Sequence, residues 1–278
     1  MSLTCDGVDV FVGKTQILHE VSMAAAPGQV TAIVGPNGCG KTTLLRAMTR
    51  ELPYTGAVAM NGENIATRAP EKLATERAVL PQSTNLAFPF NVLEVVRLGL
   101  TAGLSTNTPE QNEALPSRAL ERVGLSGFES RFYQELSGGE KQRVQLARVL
   151  VQVWDPVLNG TPRWLFLDEP VSALDIAHQL LVMDIAQDFA RAGGGVVAVM
   201  HDLNLTAMFA HHVVLMARGR VLKSGTPDDV IENNALSDAY NCRVRTRTPP
   251  SGNAPWLVPH ASRLAEPRLD KRGDTAAE

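Results

Sequence analysis

The chain begins with alternating apolar and polar positions and then changes to continuous apolar runs. Residues 8–12, 16–18 and 21–23 alternate and are separated by turn residues, which predicts short antiparallel strands. Residues 30–34, 163–168 and 196–200 are largely apolar. Such runs are typical of strands buried on both faces of a parallel sheet. The pattern therefore predicts an α/β fold with an antiparallel β subdomain at its start.

Between about residues 83 and 150 the apolar spacing becomes helical. Helices are predicted over residues 92–100 and about 110–123, which we interpret as a helical subdomain inserted into the α/β core. Further helices are predicted over residues 176–192 and 203–210, followed by a hairpin over residues 213–222. We expect residues 1–248 to form one domain. From residue 249 to 278 periodicity fades and prolines recur, which predicts a flexible tail.

Composition adds little to this pattern. The chain has 278 residues, is 44% hydrophobic and 20% charged, and carries a net charge of -3, as an ordinary soluble domain does. That charge does not favour nucleic acid as a partner. The three cysteines are too few and too widely spaced to predict disulfides or a metal site. No signal peptide or apolar run of about 20 residues is present in the sequence, so we expect a cytoplasmic protein.

A glycine-rich loop follows the apolar run at residues 30–34 and precedes a helical pattern. Its residues are Gly35, Pro36, Asn37, Gly38, Cys39, Gly40, Lys41, Thr42 and Thr43. A strand, a glycine loop, Lys-Thr and a helix together predict a phosphate-binding loop, whose alternative is a plain glycine turn. Lys41 would reach the outer phosphates and Thr42 would suit a magnesium ion. Cys39 is either a tolerated small side chain or a point of sensitivity to thiol reagents.

Two other buried strands also end in polar residues that can carry chemistry. Asp168 and Glu169 follow the apolar run at residues 163–167, and His201 follows the run at residues 196–200. Ligands of open α/β sheets bind beyond the carboxyl ends of the strands, so these residues are expected beside the phosphate loop. Asp168 is placed to bind magnesium, and Glu169 to polarise a water. The alternatives are an ordinary acidic loop and a histidine satisfied at its strand end.

A second glycine-containing helix start lies at residues 136–140. Ser137 and Glu140 form the pattern of a capping box, whose simplest role is to cap the helix. A cap does not need Gly138 and Gly139. Glycines leave the backbone N–H groups accessible and allow close approach by a phosphate. One nucleotide has only one triphosphate. The second motif therefore either binds something else or serves the nucleotide of another copy of the chain.

Over about residues 3–245 the sequence resembles the nucleotide-binding subunits of ATP-binding cassette (ABC) transporters. The resemblance implies a P-loop ATPase that binds ATP and Mg²⁺. It makes Phe11 the adenine-stacking residue, where the family more often has Tyr, and Gln82 the residue that senses magnesium and the γ-phosphate. It makes Glu169 the catalytic glutamate and His201 a γ-phosphate contact. Val171 stands where the family usually has Thr.

The resemblance also implies an assembly. Residues 136–140 match the signature motif, so Ser137, Gly138 and Gly139 would contact ATP bound to the opposite subunit of a homodimer. Residues 172–175 match a loop that crosses the interface. The dimer would drive two transmembrane permease subunits from the cytoplasmic face of the inner membrane, as a peripheral protein.

Residues 77–92 and 154–170 resemble the corresponding segments of bacterial haem (hemin) import ATPases. This resemblance implies haem import, with a periplasmic haem-binding protein as an indirect partner. Phe88 and Phe90 would line a groove for a membrane subunit or pack the helical subdomain. The alternatives are import of ferric siderophores or cobalamin, and a soluble ABC ATPase acting on nucleic acid or ribosomes.

Overall fold

A computed structural model describes residues 1–84, 86, 88–101 and 108–249 of the chain. Residues 102–107, in the polar loop of the helical region, and residues 250–278, almost all of the predicted tail, lie outside the described residues. The elements are β1 (Leu3–Val12), β2 (Thr15–Ala25), β3 (Val30–Val34), α1 (Lys41–Met48), β4 (Thr55–Met60), β5 (Glu63–Asn64), α2 (Pro70–Glu76), β6 (Arg77–Leu80), α3 (Val92–Arg97), α4 (Pro109–Arg122), α5 (Gly138–Gln152), β7 (Val157–Leu158), β8 (Thr161–Pro162), β9 (Trp164–Asp168), α6 (Ile176–Arg191), β10 (Gly195–Val199), α7 (Leu203–Phe209), β11 (His212–Ala217), β12 (Arg220–Gly225), α8 (Pro227–Val230) and α9 (Asn233–Tyr240).

The central sheet has the strand order β12-β11-β3-β10-β9-β6. Neighbours are parallel except β11 and β12, which form an antiparallel hairpin. Val199 of β10 pairs with Ile33 of β3 on one side and with Asp168 of β9 on the other. The register therefore brings the carboxyl ends of these three strands to one edge, as the sequence predicts.

A second, antiparallel sheet has the order β2-β1-β4-β5. Its first two strands are longer than predicted, because irregular pairing between β1 and β2 lets the hairpin continue through residues that interrupt the alternation. Gly56 of β4 packs against β1 so closely that a Cβ there would lie 2.2 Å from the Gly7 carbonyl oxygen. This sheet lies beside α1 and forms the predicted β subdomain.

The central sheet separates two apolar layers. Leu165 and Leu167 of β9 face one buried cluster, which includes α5 and α6, whereas Trp164 and Phe166 face the other, which includes α1 and the antiparallel sheet. This alternation explains why every residue of β9 is buried. The helices α3, α4 and α5 pack on one another in the region predicted to be helical.

Two helices are missing from the sequence prediction. Helix α2 starts with Pro70, and α9 has no side-chain cap at its start. Proline favours the first position of a helix, but neither α2 nor α9 has a side-chain cap or a long apolar repeat. No helix within the described ranges is long and apolar enough to cross a membrane.

Candidate functional site

The loop between β3 and α1 needs glycine for two physical reasons. Gly35, Gly38 and Gly40 have φ angles of 147°, 75° and 104°, in the region that disfavours residues with a Cβ. The loop is also packed from below, since a Cβ on Gly35 would lie 2.1 Å from the Met216 carbonyl oxygen and one on Gly40 2.7 Å from Leu18 Cδ2. No side chain caps the start of α1 at Gly40. The backbone N–H groups of this helix start remain available to an anion.

Lys41 lies under this loop and is only 6% exposed. Its Nζ donates hydrogen bonds to the carbonyl oxygens of Gly35, at 2.8 Å, and Pro36, at 3.1 Å. These contacts hold a positive charge at the phosphate loop.

Asp168, at the end of β9, accepts a hydrogen bond on Oδ1 from Thr42 Oγ1 at 2.9 Å. This contact joins the phosphate loop to the next-but-one strand of the central sheet. Burial raises the pKa of Asp168, and the hydrogen bond from Thr42 opposes that rise. The negative charge of Glu169 raises the pKa further, whereas His201 and Lys41 lower it. The carboxylate is therefore costly to keep ionised unless a cation compensates it.

The carboxylate of Glu169 contacts the side chains of Gln82 and His201. Its Oε2 accepts a hydrogen bond from Gln82 Nε2 at 2.9 Å, and its Oε1 lies 2.5 Å from His201 Nε2. Its backbone has a φ angle of 52°, which is unusual for a residue that is not glycine. The structure thus brings together side chains from three separate strand ends.

Residues of the phosphate loop, together with Gln82, Glu169 and His201, line one cleft of about 490 Å³. Asp168 is not among the lining residues and is linked to the cleft by its hydrogen bond with Thr42. Its lining residues are Ile17, Asn37, Gly38, Gly40, Lys41, Thr42, Thr43, Gln82, Glu169 and His201. The opening is wide and polar groups surround it, so it has the chemistry expected for a bound phosphate chain.

Five predicted site residues near the loop are not among those that line the cleft: Phe11, Gly35, Pro36, Cys39 and Asp168. Phe11 is 51% exposed near the end of β1 and is not among the residues lining the cleft, whereas Ile17 of the facing strand is. The Cys39 side chain is buried in the apolar cluster beneath the loop, and that burial raises the pKa of its thiol. Pro36 contributes its carbonyl oxygen to Lys41.

The second glycine motif also lies outside the lining of this cleft. Ser137 forms the predicted capping box: its Oγ accepts from Glu140 N at 3.3 Å, and Glu140 Oε2 accepts from Ser137 N at 2.7 Å. Gly138 faces open space. Gly139 is packed against residues 173 and 174, where a Cβ would lie 3.1 Å from the Ala173 carbonyl oxygen.

Sequence reasoning missed three residues that support the site. Ile17 lines the cleft from β2, Gln142 Nε2 donates to the Glu169 carbonyl oxygen at 2.9 Å, and Gly219 N donates to the Cys39 carbonyl oxygen at 3.0 Å. No local pattern marks an isoleucine or a glutamine for such roles. Only Gly219, in a predicted hairpin turn, stands out in the sequence.

The chain is similar to known proteins over most of its length. The family model described as ABC transporter matches residues 18–172. The chain belongs to the ABC transporter family. Within it, the chain is similar to the hemin import ATP-binding protein HmuV of Jannaschia sp. (strain CCS1), with 62% identity over 94% of this chain and 95% of that protein. It is similarly related to the proteins of the same name from Mesorhizobium japonicum, at 55% identity over 92% of this chain and 97% of that protein.

Solved structures confirm the predicted fold. This chain is similar to a nucleotide-free ATP-binding cassette of an ABC transporter, with a TM-score of 0.74 and 22% sequence identity. The alignment includes 86% of this chain and 99% of that cassette. Another ATP-binding cassette, in its ADP conformation, matches 87% of this chain and 99% of its own, with a TM-score of 0.73 at 23% identity. The prediction of a P-loop ABC ATPase core is correct.

Proposed function

We propose that this chain is the ATP-hydrolysing subunit of a bacterial haem importer. The observation that carries the proposal is the cleft that joins the phosphate loop to Glu169 and His201, with Asp168 hydrogen-bonded to Thr42 of that loop. The cargo is inferred from relatives 47–62% identical to this chain, which are named hemin import ATP-binding proteins.

ATP would bind with its phosphates on the loop of residues 35–43. The start of α1 offers N–H groups and partial positive charge, and Lys41 adds a full charge from beneath. Phe11 would have to reach the adenine from the edge of the cleft, beside Ile17. We retain it as an adenine contact to be tested by substitution.

The residues present fit a magnesium ion. Thr42 Oγ1 and Asp168 Oδ1 lie 2.9 Å apart, and both are hard oxygen donors of the kind this ion prefers. Burial raises the pKa of Asp168, and Lys41 and His201 oppose that rise only in part, so a cation bound beside the carboxylate would favour its ionised form. Thr42, Asp168 and Gln82 would hold the ion, which would neutralise charge on the phosphates during transfer.

Glu169 would orient and deprotonate the attacking water. His201 and Gln82 fix the two oxygens of this carboxylate, so that it has one orientation at the mouth of the loop. His201 would also contact the γ-phosphate. General-base catalysis of this kind typically contributes about 10²–10⁴-fold.

The site would be completed by a second copy of the chain. Ser137, Gly138 and Gly139 do not line the cleft of their own subunit, and Gly138 faces open space. A head-to-tail homodimer would place them on the partner's ATP. Residues 172–175, packed against Gly139, would cross the same interface.

Two permease subunits would bind on the helical region. Phe88 is 69% exposed and Phe132 is 49% exposed, and the strand-like pairing of Asn91 with Phe132 holds them on neighbouring segments. Phe90 packs against the core and contacts Phe88 edge-on at 6.3 Å between ring centroids. Of the two phenylalanines expected to pack or to line a groove, Phe90 is therefore packed and Phe88 is exposed. Binding there would place the chain on the cytoplasmic face of the inner membrane.

Reconstitution in lipid vesicles with the permease subunits tests the cargo. We expect a haem-loaded periplasmic binding protein to stimulate ATP hydrolysis and haem uptake, with an Asp168→Asn chain as the inactive control. Stimulation by a ferric-siderophore or cobalamin-loaded binding protein instead would replace haem by that cargo. The domain proposal has its own test: a chain ending at residue 248 should hydrolyse ATP as the full chain does.

A further inference from the structure

We propose that Gln142 is a positioning residue for Glu169 and links the signature helix to the catalytic carboxylate of its own subunit. The inference rests on the proposed role of Glu169 as general base and deepens it. Gln142 lies in the first turns of α5, five positions after Ser137. Its Nε2 donates to the Glu169 carbonyl oxygen at 2.9 Å.

The Glu169 backbone needs such support. A φ of 52° is unfavourable for a residue with a Cβ, and it persists only where surrounding contacts impose it. The Glu169 N–H donates to the Val199 carbonyl oxygen at 3.2 Å, which fixes the peptide on the strand side. On the other side the carbonyl oxygen accepts from Gln142 Nε2 at 2.9 Å, and over longer distances from Ser172 Oγ at 3.2 Å and Ser172 N at 3.4 Å. Among the described residues, Gln142 is therefore the one from outside the 169–175 segment that donates to this carbonyl oxygen.

The Gln142 side chain is not explained by packing alone. Its Oε1 is buried and has no hydrogen-bond partner among the described residues. Burying an unpaired carbonyl oxygen is unfavourable, and an apolar side chain of the same length would avoid the cost. Of the two polar groups of this amide, the N–H is therefore the one that makes a contact, and that contact is with Glu169.

The same helix turn is tied to this segment at a second point. Gly139 lies so close to residues 173 and 174 that an added Cβ would come within 3.1 Å of the Ala173 carbonyl oxygen. The start of α5 and residues 169–175 therefore form one packed unit. Docking of Ser137–Gly139 on the partner's ATP would fix the position of Glu169 in the docking subunit, so that closure at one site prepares the other.

The test compares Gln142→Met, which keeps the length and removes the donor, with Gln152→Met. Gln152 is at the other end of α5 and donates to the carbonyl oxygens of Ala74, at 2.8 Å, and Arg77, at 2.9 Å. It controls for the loss of a glutamine hydrogen bond from the same helix. Gln142→Leu, which also lacks a donor and adds no buried charge, is the second variant should Gln142→Met not fold, and the same loss of kcat is expected of it.

Steady-state ATP hydrolysis by the full-length chain is the first measurement. We expect Gln142→Met to lower kcat at least about tenfold, with KM for ATP within about twofold of the wild type, because the general base is misplaced while ATP contacts are intact. Gln152→Met should keep the wild-type kcat. A wild-type kcat for Gln142→Met, or an equal loss for Gln152→Met, would overturn the inference.

ATP-induced dimerisation in a Glu169→Gln background is the second measurement. We expect Gln142→Met to leave the dimer intact, because it acts on Glu169 and not on the signature contacts. Loss of the dimer would mean that Gln142 serves the partner's ATP instead, which contradicts the inference. Failure of the wild-type chain to hydrolyse ATP would contradict the proposed function itself. The wild-type measurement therefore distinguishes a failure of the proposed function from a failure of the inference about Gln142.

Discussion

The Nε2 atom of His201 lies 2.5 Å from Oε1 of Glu169, although the two residues follow the ends of different strands, β10 and β9. The contact is short enough for the imidazole N–H to donate to the carboxylate. Since Gln82 binds the other oxygen, the carboxylate has little freedom to rotate. Its orientation is set before any substrate arrives, which is the condition for an efficient general base.

Replacing Glu169 by Gln should separate binding from hydrolysis. The amide keeps the size of the side chain and can still contact His201 or Gln82, but it cannot take a proton from water. We expect kcat to fall by about 10²–10⁴-fold while ATP binding and ATP-induced dimerisation persist. Rapid-quench hydrolysis and size-exclusion chromatography with ATP measure the two effects. Full turnover by this variant would remove Glu169 from the proposed role.

Replacing Ser137 by Arg should block dimer closure without abolishing ATP binding. Ser137 lies at the cap of α5 and outside the lining of its own cleft, so the bulky cation meets only a second subunit. We expect binding of a fluorescent ATP analogue to stay within about threefold of the wild type, while hydrolysis falls at least about tenfold. Thr108→Arg is a matched control, because Thr108 caps α4 with the same capping-box geometry. Loss of ATP binding by Ser137→Arg alone would place the motif in its own subunit's site.

The phosphate loop and the buried strands could be predicted because their signals are local. Residues 30–43 carry a buried strand, a glycine loop and a helix start within one short stretch, and the apolar run at residues 164–167 identifies β9 without reference to any other segment. The register that brings Val199 beside both Ile33 and Asp168 follows from parallel pairing.

The contacts of Ile17, Gln142 and Gly219 could not be predicted for the opposite reason. Gly219 meets Cys39 across 180 positions of the chain, and Gln142 meets Glu169 through a side-chain amide that carries no periodic signal. These contacts depend on how the β subdomain and the helical region pack on the sheet. Ile17 lies on β2 beside Gln16, which pairs with Phe11 of β1, and of Ile17 and Phe11 only Ile17 lines the cleft.

Replacing Asp168 by Asn should stabilise the nucleotide-free chain and abolish hydrolysis. Burial raises the pKa of Asp168, so the ionised carboxylate lowers the free energy of unfolding at neutral pH. The neutral amide removes this cost and can still accept from Thr42. We expect the melting temperature to rise by about 2 °C at neutral pH.

The sign of the pH dependence checks the cause of that stabilisation. Because the folded-state pKa of Asp168 lies above its ordinary value, the wild-type chain gains stability as pH falls through that raised pKa and Asp168 takes up a proton. The advantage of Asp168→Asn should therefore shrink towards acid pH. An advantage that grew on acidification would mean that the carboxylate is stabilised in the fold. Differential scanning calorimetry without nucleotide, at several pH values, makes the comparison.

Replacing Gly219 by Ala should displace the phosphate loop from a distance. Gly219 has a φ angle of 73°, donates to the Cys39 carbonyl oxygen and accepts from His19 N. A Cβ there would lie 2.2 Å from the Ile17 carbonyl oxygen, so that the turn and the edge of the cleft cannot both keep their positions. We expect a loss of about 2–3 kcal/mol in the free energy of unfolding, from backbone strain and overpacking together, and a rise of several-fold in KM for ATP.

Gly62→Ala separates the two causes of that loss. Gly62 has a comparable φ angle of 85°, but an added Cβ meets nothing within 4 Å. It should cost about 1 kcal/mol, from backbone strain alone, and leave KM unchanged. Urea denaturation and steady-state hydrolysis measure both quantities for the two variants. The two variants share the backbone strain and differ only in the contact with Ile17. Equal changes in the free energy of unfolding and in KM for Gly219→Ala and Gly62→Ala would therefore mean that the hairpin turn does not hold the phosphate loop in position.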